Sequence, residues 1–350
     1  MVAAALSWLW WKGDARLFSG ESCPDGFCTY LEKVRWALTG TDEVSTRQLV
    51  EFVRVYTHAH SPLAPLLGGM VNVLVPSPVA SFAIVSALAT VATWLCLSNE
   101  LGRTGVTQPG SRAIVRLAFF ANPLVIRSFL RPNTDALGLL CVMGALSALA
   151  AFRRRRSTPR ACLIFSTLCV GLLSRVSFLP MLATPLLVEL LGTPRRGFRA
   201  RRVATSAVLF GLLPGLIVLR ATTVLGMQHL AEAWSVAHAP EFTSGYTLRA
   251  FVVGLVCAGG LYVLLAHACA PLDLLREERF APHVAWIALY LSFLTLGRTS
   301  LWPRYFLPVV PSALAVATPW LTRLSERTER RGLLVVAAVS ALGLACGGAA

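Results

Sequence analysis

Charge is the scarcest property of this sequence. Of 350 residues only 14% are Asp, Glu, Lys or Arg, while 55% are hydrophobic, and mean hydropathy is +0.65. A soluble domain keeps about a quarter of its residues charged to hydrate its surface. This chain cannot cover a globule with polar groups, so its solvent is largely lipid. Lysine is nearly missing, with only Lys12 and Lys33, and arginine carries the formal charge of +15. There is no basic domain with interleaved aromatics. The arginines lie in short clusters between apolar runs, as the positive-inside rule expects, so the charge does not point to nucleic acid. The nine cysteines include no CxxC pair and no Cys/His spacing suited to zinc. Most sit in apolar runs, where cysteine behaves as a small hydrophobe. Only Cys23 and Cys28 share a polar loop, which leaves a disulfide and two free thiols both open. Alternating strand patterns and internal repeats are absent as well.

What the sequence has in quantity is apolar runs of near-bilayer length. They cover about 78–98, 113–126, 135–152, 161–174, 177–191, 203–220, 250–268, 283–297, 305–321 and 332–346. Several fall short of the roughly 20 residues a bilayer requires, so their ends are expected to extend into the flanks. The fold class that follows is all-α, a polytopic membrane bundle of about 10–11 transmembrane helices. We read residues 1–350 as a single integral-membrane domain, with a first external loop at 12–77, the bundle at 78–346 and a second external loop at 221–249. The opening "MVAAALSWLWW" is only about half a span. It reads as the remainder of a first helix, with an interfacial segment as the alternative; no basic stretch before it marks a signal peptide.

Orientation follows from the basic clusters "RRRR" at 153–156, "PRRGFRARR" at 194–202, "LREER" at 275–279 and "RLSERTERR" at 323–331, all expected to be cytoplasmic. Two runs separate each cluster from the next, so the assignments agree in parity. The outer face then receives the first loop, the turn from Arg127 to Asp135, Arg175, the 221–249 loop and "GRTSLWPR" at 297–304. Within the first loop, residues 24–56 have the stripe pattern of interfacial amphipathic helices. Pro62 and Pro65 are expected to break the helix before them and lead towards the next span.

An aspartate in the first loop, an amphipathic stretch, then "HSPLAPLLGG", "RPNTDAL", "GLLSRVSFLPML" and "WPRYFLPVVPSALA" follow in that order. Together they resemble the GT-C membrane glycosyltransferases, in the bacterial branch of protein mannosyltransferase and aminoarabinose transferase relatives. The resemblance spans nearly the whole chain. Where such enzymes carry an Asp-Glu pair in the first external loop, this sequence has Asp25 followed by Gly26. The resemblance implies a GT-C-like fold in a bacterial inner membrane and a polyprenyl-phosphate sugar donor. It further implies transfer on the extracytoplasmic face to a glycan, lipid or protein acceptor, with an aspartate as base.

That chemistry requires a carboxylate to take the acceptor's proton and cations to stabilise the departing phosphate. Asp25 is the first candidate base and Asp14 the reserve, although Asp25 also fits the cap of a helix after Pro24. Arg127, Arg131, Arg175, Arg298 and Arg304 are candidates for the phosphate, each equally readable as an arginine snorkelling to the headgroups. Tyr305 accompanies Arg304. Asp135 opens a helix and reads as a substrate contact, a cap or the partner of Arg131. His60 is a candidate substrate contact, against a plain loop histidine. His58 and His60 are spaced poorly for a shared metal, so no metal site or cofactor is assigned, and dependence on a divalent metal stays open. The other classes in play are a flippase of lipid-linked precursors and a non-catalytic envelope subunit.

Overall fold

The computed structural model describes residues 63–75, 77–103, 109–130, 135–191, 196–224, 248–260, 262, 280–296, 303–327 and 329–348. Every apolar run read from the sequence holds helix among them. The helices are α1 (Leu63–Leu74), α2 (Pro78–Arg103), α3 (Pro109–Phe120), α4 (Pro123–Leu130), α5 (Asp135–Arg154), α6 (Thr158–Ser174) and α7 (Thr184–Leu191). They continue with α8 (Arg196–Ser206), α9 (Leu213–Val224), α10 (Leu248–Cys257), α11 (Ala281–Leu296), α12 (Val310–Arg327) and α13 (Glu329–Gly348). No strand occurs among the described residues. Four of the helical stretches are long and apolar enough to cross a membrane unaided: Ala80–Gly102, Asp135–Arg154, Arg201–Thr223 and Tyr305–Arg323.

Proline sets many of the helix starts. Pro78, Pro109, Pro123, Pro159, Pro185, Pro282 and Pro311 all lie in first turns, where the missing N–H has no intrahelical acceptor to lose. The same physics corrects one expectation. Pro65 does not keep the stretch that follows from being helical; it is the third residue of α1, a position that tolerates it, and the helix it was expected to end lies outside the described residues. Asp135 opens α5 and Arg153 and Arg154 close it, each sign matching the helix dipole at its end.

Several apolar runs that look continuous in sequence are interrupted. The run 113–126 is two helices, α3 and α4, parted at Asn122. Asn122 Oδ1 accepts the N–H groups of Leu124 (2.9 Å) and Val125 (3.4 Å), capping α4. Its amide nitrogen donates to the Cys257 carbonyl at the end of α10 (3.0 Å), just before Gly259 turns the chain with φ +82°. One side chain therefore satisfies the exposed backbone of two broken helices, as non-helical backbone inside a bilayer demands. The runs at 177–191 and 305–321 begin instead with 3₁₀ turns, Val176–Leu182 and Pro303–Val309. A π-helical turn, Ala207–Leu212, joins α8 to α9.

α5 is the central helix, packed between α2 and α6. Around it, Phe119, Phe178, Trp286, Tyr290 and Phe306 are fully buried. A satellite cluster of Ala64, Phe82 and Leu137 seats the start of α1 against the first turns of α2 and α5. On the outer side of α2, Ile84, Leu88, Val91 and Leu95 form an exposed apolar stripe at helical spacing, suited to lipid.

Ion pairs mark the two ends of the bundle. At one end Arg154 meets Glu100 at 3.6 Å and Arg156 meets Glu189 at 2.6 Å. At the other, Arg175 pairs with Asp135. The turns that the basic clusters assign to opposite faces thus fall at opposite ends.

Candidate functional site

At the Asp135 end three separate turns converge. Asp135 supplies a carboxylate from the first residue of α5, with only 4% of its side chain exposed. Arg175 follows the last residue of α6 in extended conformation (φ −167°, ψ 139°). Its N–H caps α6 on the Gly171 carbonyl (3.0 Å), and its own carbonyl accepts the Phe178 N–H (3.1 Å), starting the 3₁₀ turn. That corner carries the guanidinium to Asp135, with which it forms an ion pair. The third member is Tyr305, in the 3₁₀ turn before α12, whose ring lies 5.5 Å from the Arg175 guanidinium carbon.

Each member is held by its surroundings. Gly138, one turn below Asp135, leaves room for the arginine stem: a Cβ there would sit 3.5 Å from Arg175 Cδ. The backbone at Tyr305 is fixed from α11, because Tyr290 OH donates to the Tyr305 carbonyl (2.7 Å) and Trp286 Nε1 to the Pro308 carbonyl (3.0 Å). Trp286 and Tyr290 are themselves in ring contact at 4.8 Å. The Arg175 side chain retains 17% exposure, so the guanidinium is oriented from inside and reachable from outside. A carboxylate on one edge and an aromatic face beneath fix the plane of the fork. A guanidinium so fixed suits an anion with oxygen acceptors in a plane, above all a phosphate.

The residues singled out in the sequence are thus partly assembled. Asp135, Arg175 and Tyr305 come together. Arg127 lies on α4 and Arg304 in the 3₁₀ turn beside Tyr305, with side chains outside the described residues. Asp14, Asp25, His60, Arg131 and Arg298 lie outside the described residues altogether. Asp135 pairs with Arg175, contributed by another corner of the fold; the pairing with Arg131 that the sequence offered lies outside the described residues. Sequence reasoning missed Gly138, Trp286 and Tyr290. Gly138 carried a usable signal, a side-chain-free position three residues after an acid on the same helix face. No group of three or more His, Cys, Asp or Glu side chains suited to a metal ion occurs among the described residues.

No family model matches the sequence, and no curated protein matches it. Among solved structures the chain is similar to ArnT from Cupriavidus metallidurans in the apo state, with a TM-score of 0.60 at 18% identity. The match covers 92% of this chain and 59% of that one, so the chain spans less than two thirds of the structure it resembles. Agreement over nearly all of this chain at so low an identity is agreement of architecture: the protein shares the polytopic helical fold of that structure.

Proposed function

We propose that the protein transfers a sugar from a polyprenyl-phosphate donor to an acceptor at the extracytoplasmic face of a bacterial inner membrane. The observation that carries this reading is the convergence of Asp135, Arg175 and Tyr305 at one end of a bundle with the ArnT fold. In the proposed reaction the acceptor's hydroxyl or amine gives its proton to a carboxylate as it attacks the anomeric carbon. The bond from that carbon to the phosphate oxygen breaks, and polyprenyl phosphate leaves with the electron pair. Arg175 meets the charge that grows on the phosphate, its plane fixed beforehand by Asp135 and Tyr305. Asp25, in the first external loop, is the proposed base, with Asp14 in reserve. Arg127, Arg131, Arg298, Arg304 and His60 are proposed to complete the donor and acceptor contacts. Asp135 is assigned to orienting Arg175. The meeting of Asp135, Arg175 and Tyr305 at one end speaks for transfer over a flippase, which would hold its charged cargo near the bilayer midplane.

The test is sugar transfer from a polyprenyl-phosphate donor by the purified chain in proteoliposomes. We expect Asp25→Asn to abolish transfer while donor binding persists, and Arg175→Gln to weaken both. Transfer at the unmutated rate by Arg175→Gln would overturn the reading. Donor movement between leaflets without transfer would assign the fold to a flippase.

A further inference from the structure

Two arginine clusters with no part in the proposed transfer lie at the end opposite Asp135, on elements that pack together below them. One is the α5–α6 turn, Arg153–Arg156 with Arg160. The other is α8, which carries Arg196, Arg199, Arg201 and Arg202. The Phe152 and Phe210 rings, 5.6 Å apart and edge to face, join the turn to the α8–α9 span, and α6 packs against both the π turn and α9.

Much of the first cluster is engaged within the protein. Arg154 meets Glu100, Arg156 meets Glu189 and stacks on Phe152 at 5.6 Å. Arg160 donates to the carbonyls of Ala151 (2.8 Å) and Arg155 (3.1 Å). Arg155 and Arg201 are exposed, and the carboxylates Glu100 and Glu189 are already matched. Below these arginines the surface is apolar and faces outward, with Leu163 on α6 and Val208, Leu209 and Leu212 on the π turn all exposed. The span Arg201–Thr223 is also the least embedded of the long ones, with 22% of its apolar window buried against 72% for Asp135–Arg154. Few protein contacts hold it in place.

Guanidinium groups above an outward apolar wall match the two halves of an anionic phospholipid, phosphate above and acyl chains below. We propose that an anionic phospholipid binds at the seam between α6 and the α8–α9 span. Arg155 and Arg201 hold its headgroup phosphate, and its chains lie along Leu163, Val208 and Leu212. The lipid fastens the sparsely packed span to the bundle. The site is independent of the chemistry at Asp135.

The test is lipid retention on the full-length chain, measured by native mass spectrometry with phosphatidylglycerol and phosphatidylcholine in competition. The unmutated chain should retain phosphatidylglycerol preferentially. Replacing each arginine by glutamine should weaken that retention roughly fivefold, a factor of about 25 for Arg155→Gln with Arg201→Gln, and leave phosphatidylcholine unaffected. The pair Arg323→Gln and Arg331→Gln, exposed elsewhere at the same end, should change nothing. Three results would overturn the site: equal retention of both lipids by the unmutated chain, equal loss in both double variants, or displacement of the lipid by inorganic phosphate alone. The first comparison needs no variant, so it decides even if the double variant does not fold.

Discussion

Arg175 reaches from the corner after α6 to the carboxylate of Asp135 at the first residue of α5. The pair joins two helices at the end of the bundle where the proposed transfer takes place. Breaking a buried pair from one side leaves the other charge without compensation. Arg175→Ala should therefore destabilise the protein by roughly 3 kcal/mol, with Arg175→Lys in between, because an ammonium lacks the planar fork. Asp135→Asn combined with Arg175→Gln should cost less than the sum of the two single changes. Urea unfolding in detergent across the double-mutant cycle checks this; simple additivity would mean that the pair contributes nothing.

The absent side chain at Gly138 gives a graded test. A Cβ fits at 3.5 Å from the arginine stem, so Gly138→Ala should leave stability and transfer close to unmutated. Gly138→Leu projects into the space the stem occupies and should push Arg175 off Asp135. Its transfer activity should then fall to the level of Arg175→Gln, measured side by side.

Gly254 on α10 is packed far more tightly. A Cβ there would lie 2.3 Å from the Phe306 ring, and Phe306 is fully buried next to Tyr305. Gly254→Ala should cost about 1–3 kcal/mol through overpacking. Adding Phe306→Leu should recover part of that loss, which thermal denaturation of the single and double variants would reveal. Failure of the second change to help would place the strain elsewhere.

Asn122 serves two helices, so its replacements separate two losses. Asn122→Asp keeps the acceptor that caps α4 and removes the donor to the Cys257 carbonyl. Asn122→Ala removes both and should cost about 2 kcal/mol, the sum of a cap and a buried hydrogen bond. Asn122→Asp also sets a buried carboxylate oxygen against that carbonyl, so it should be the less stable of the two variants under the same denaturation; an aspartate variant as stable as the unmutated chain would show that the bond to Cys257 contributes nothing.

The helices were legible in the sequence because lipid imposes a simple rule on composition, and the alternation of the two ends followed from Arg153–Arg156 and the other basic clusters. Asp135, Arg175 and Tyr305 stood out as polar groups bordering apolar runs. Their mutual contacts did not stand out, because Arg131 is close to Asp135 in sequence and Arg175 only in space. The break at Asn122 and the 3₁₀ turns were hidden inside uninterrupted hydrophobicity. Pro180 and Pro308 lie within those turns and were the only local hint. α1 was missed for the opposite reason: Pro65 was given the weight of a breaker at a position where proline is harmless. The approach of Gly254 to Phe306 depends on the packing of distant elements and left no trace in either segment.

Ala64, at the second residue of α1, shares its small apolar cluster with Leu137, two residues past Asp135. The polypeptide that carries Asp14, Asp25 and His60 is therefore moored beside the carboxylate it is proposed to work with. Its junction with α1 is tied through Leu137 to the first turn of the helix that Asp135 opens, so a change at the start of α1 is a change at the border of the site.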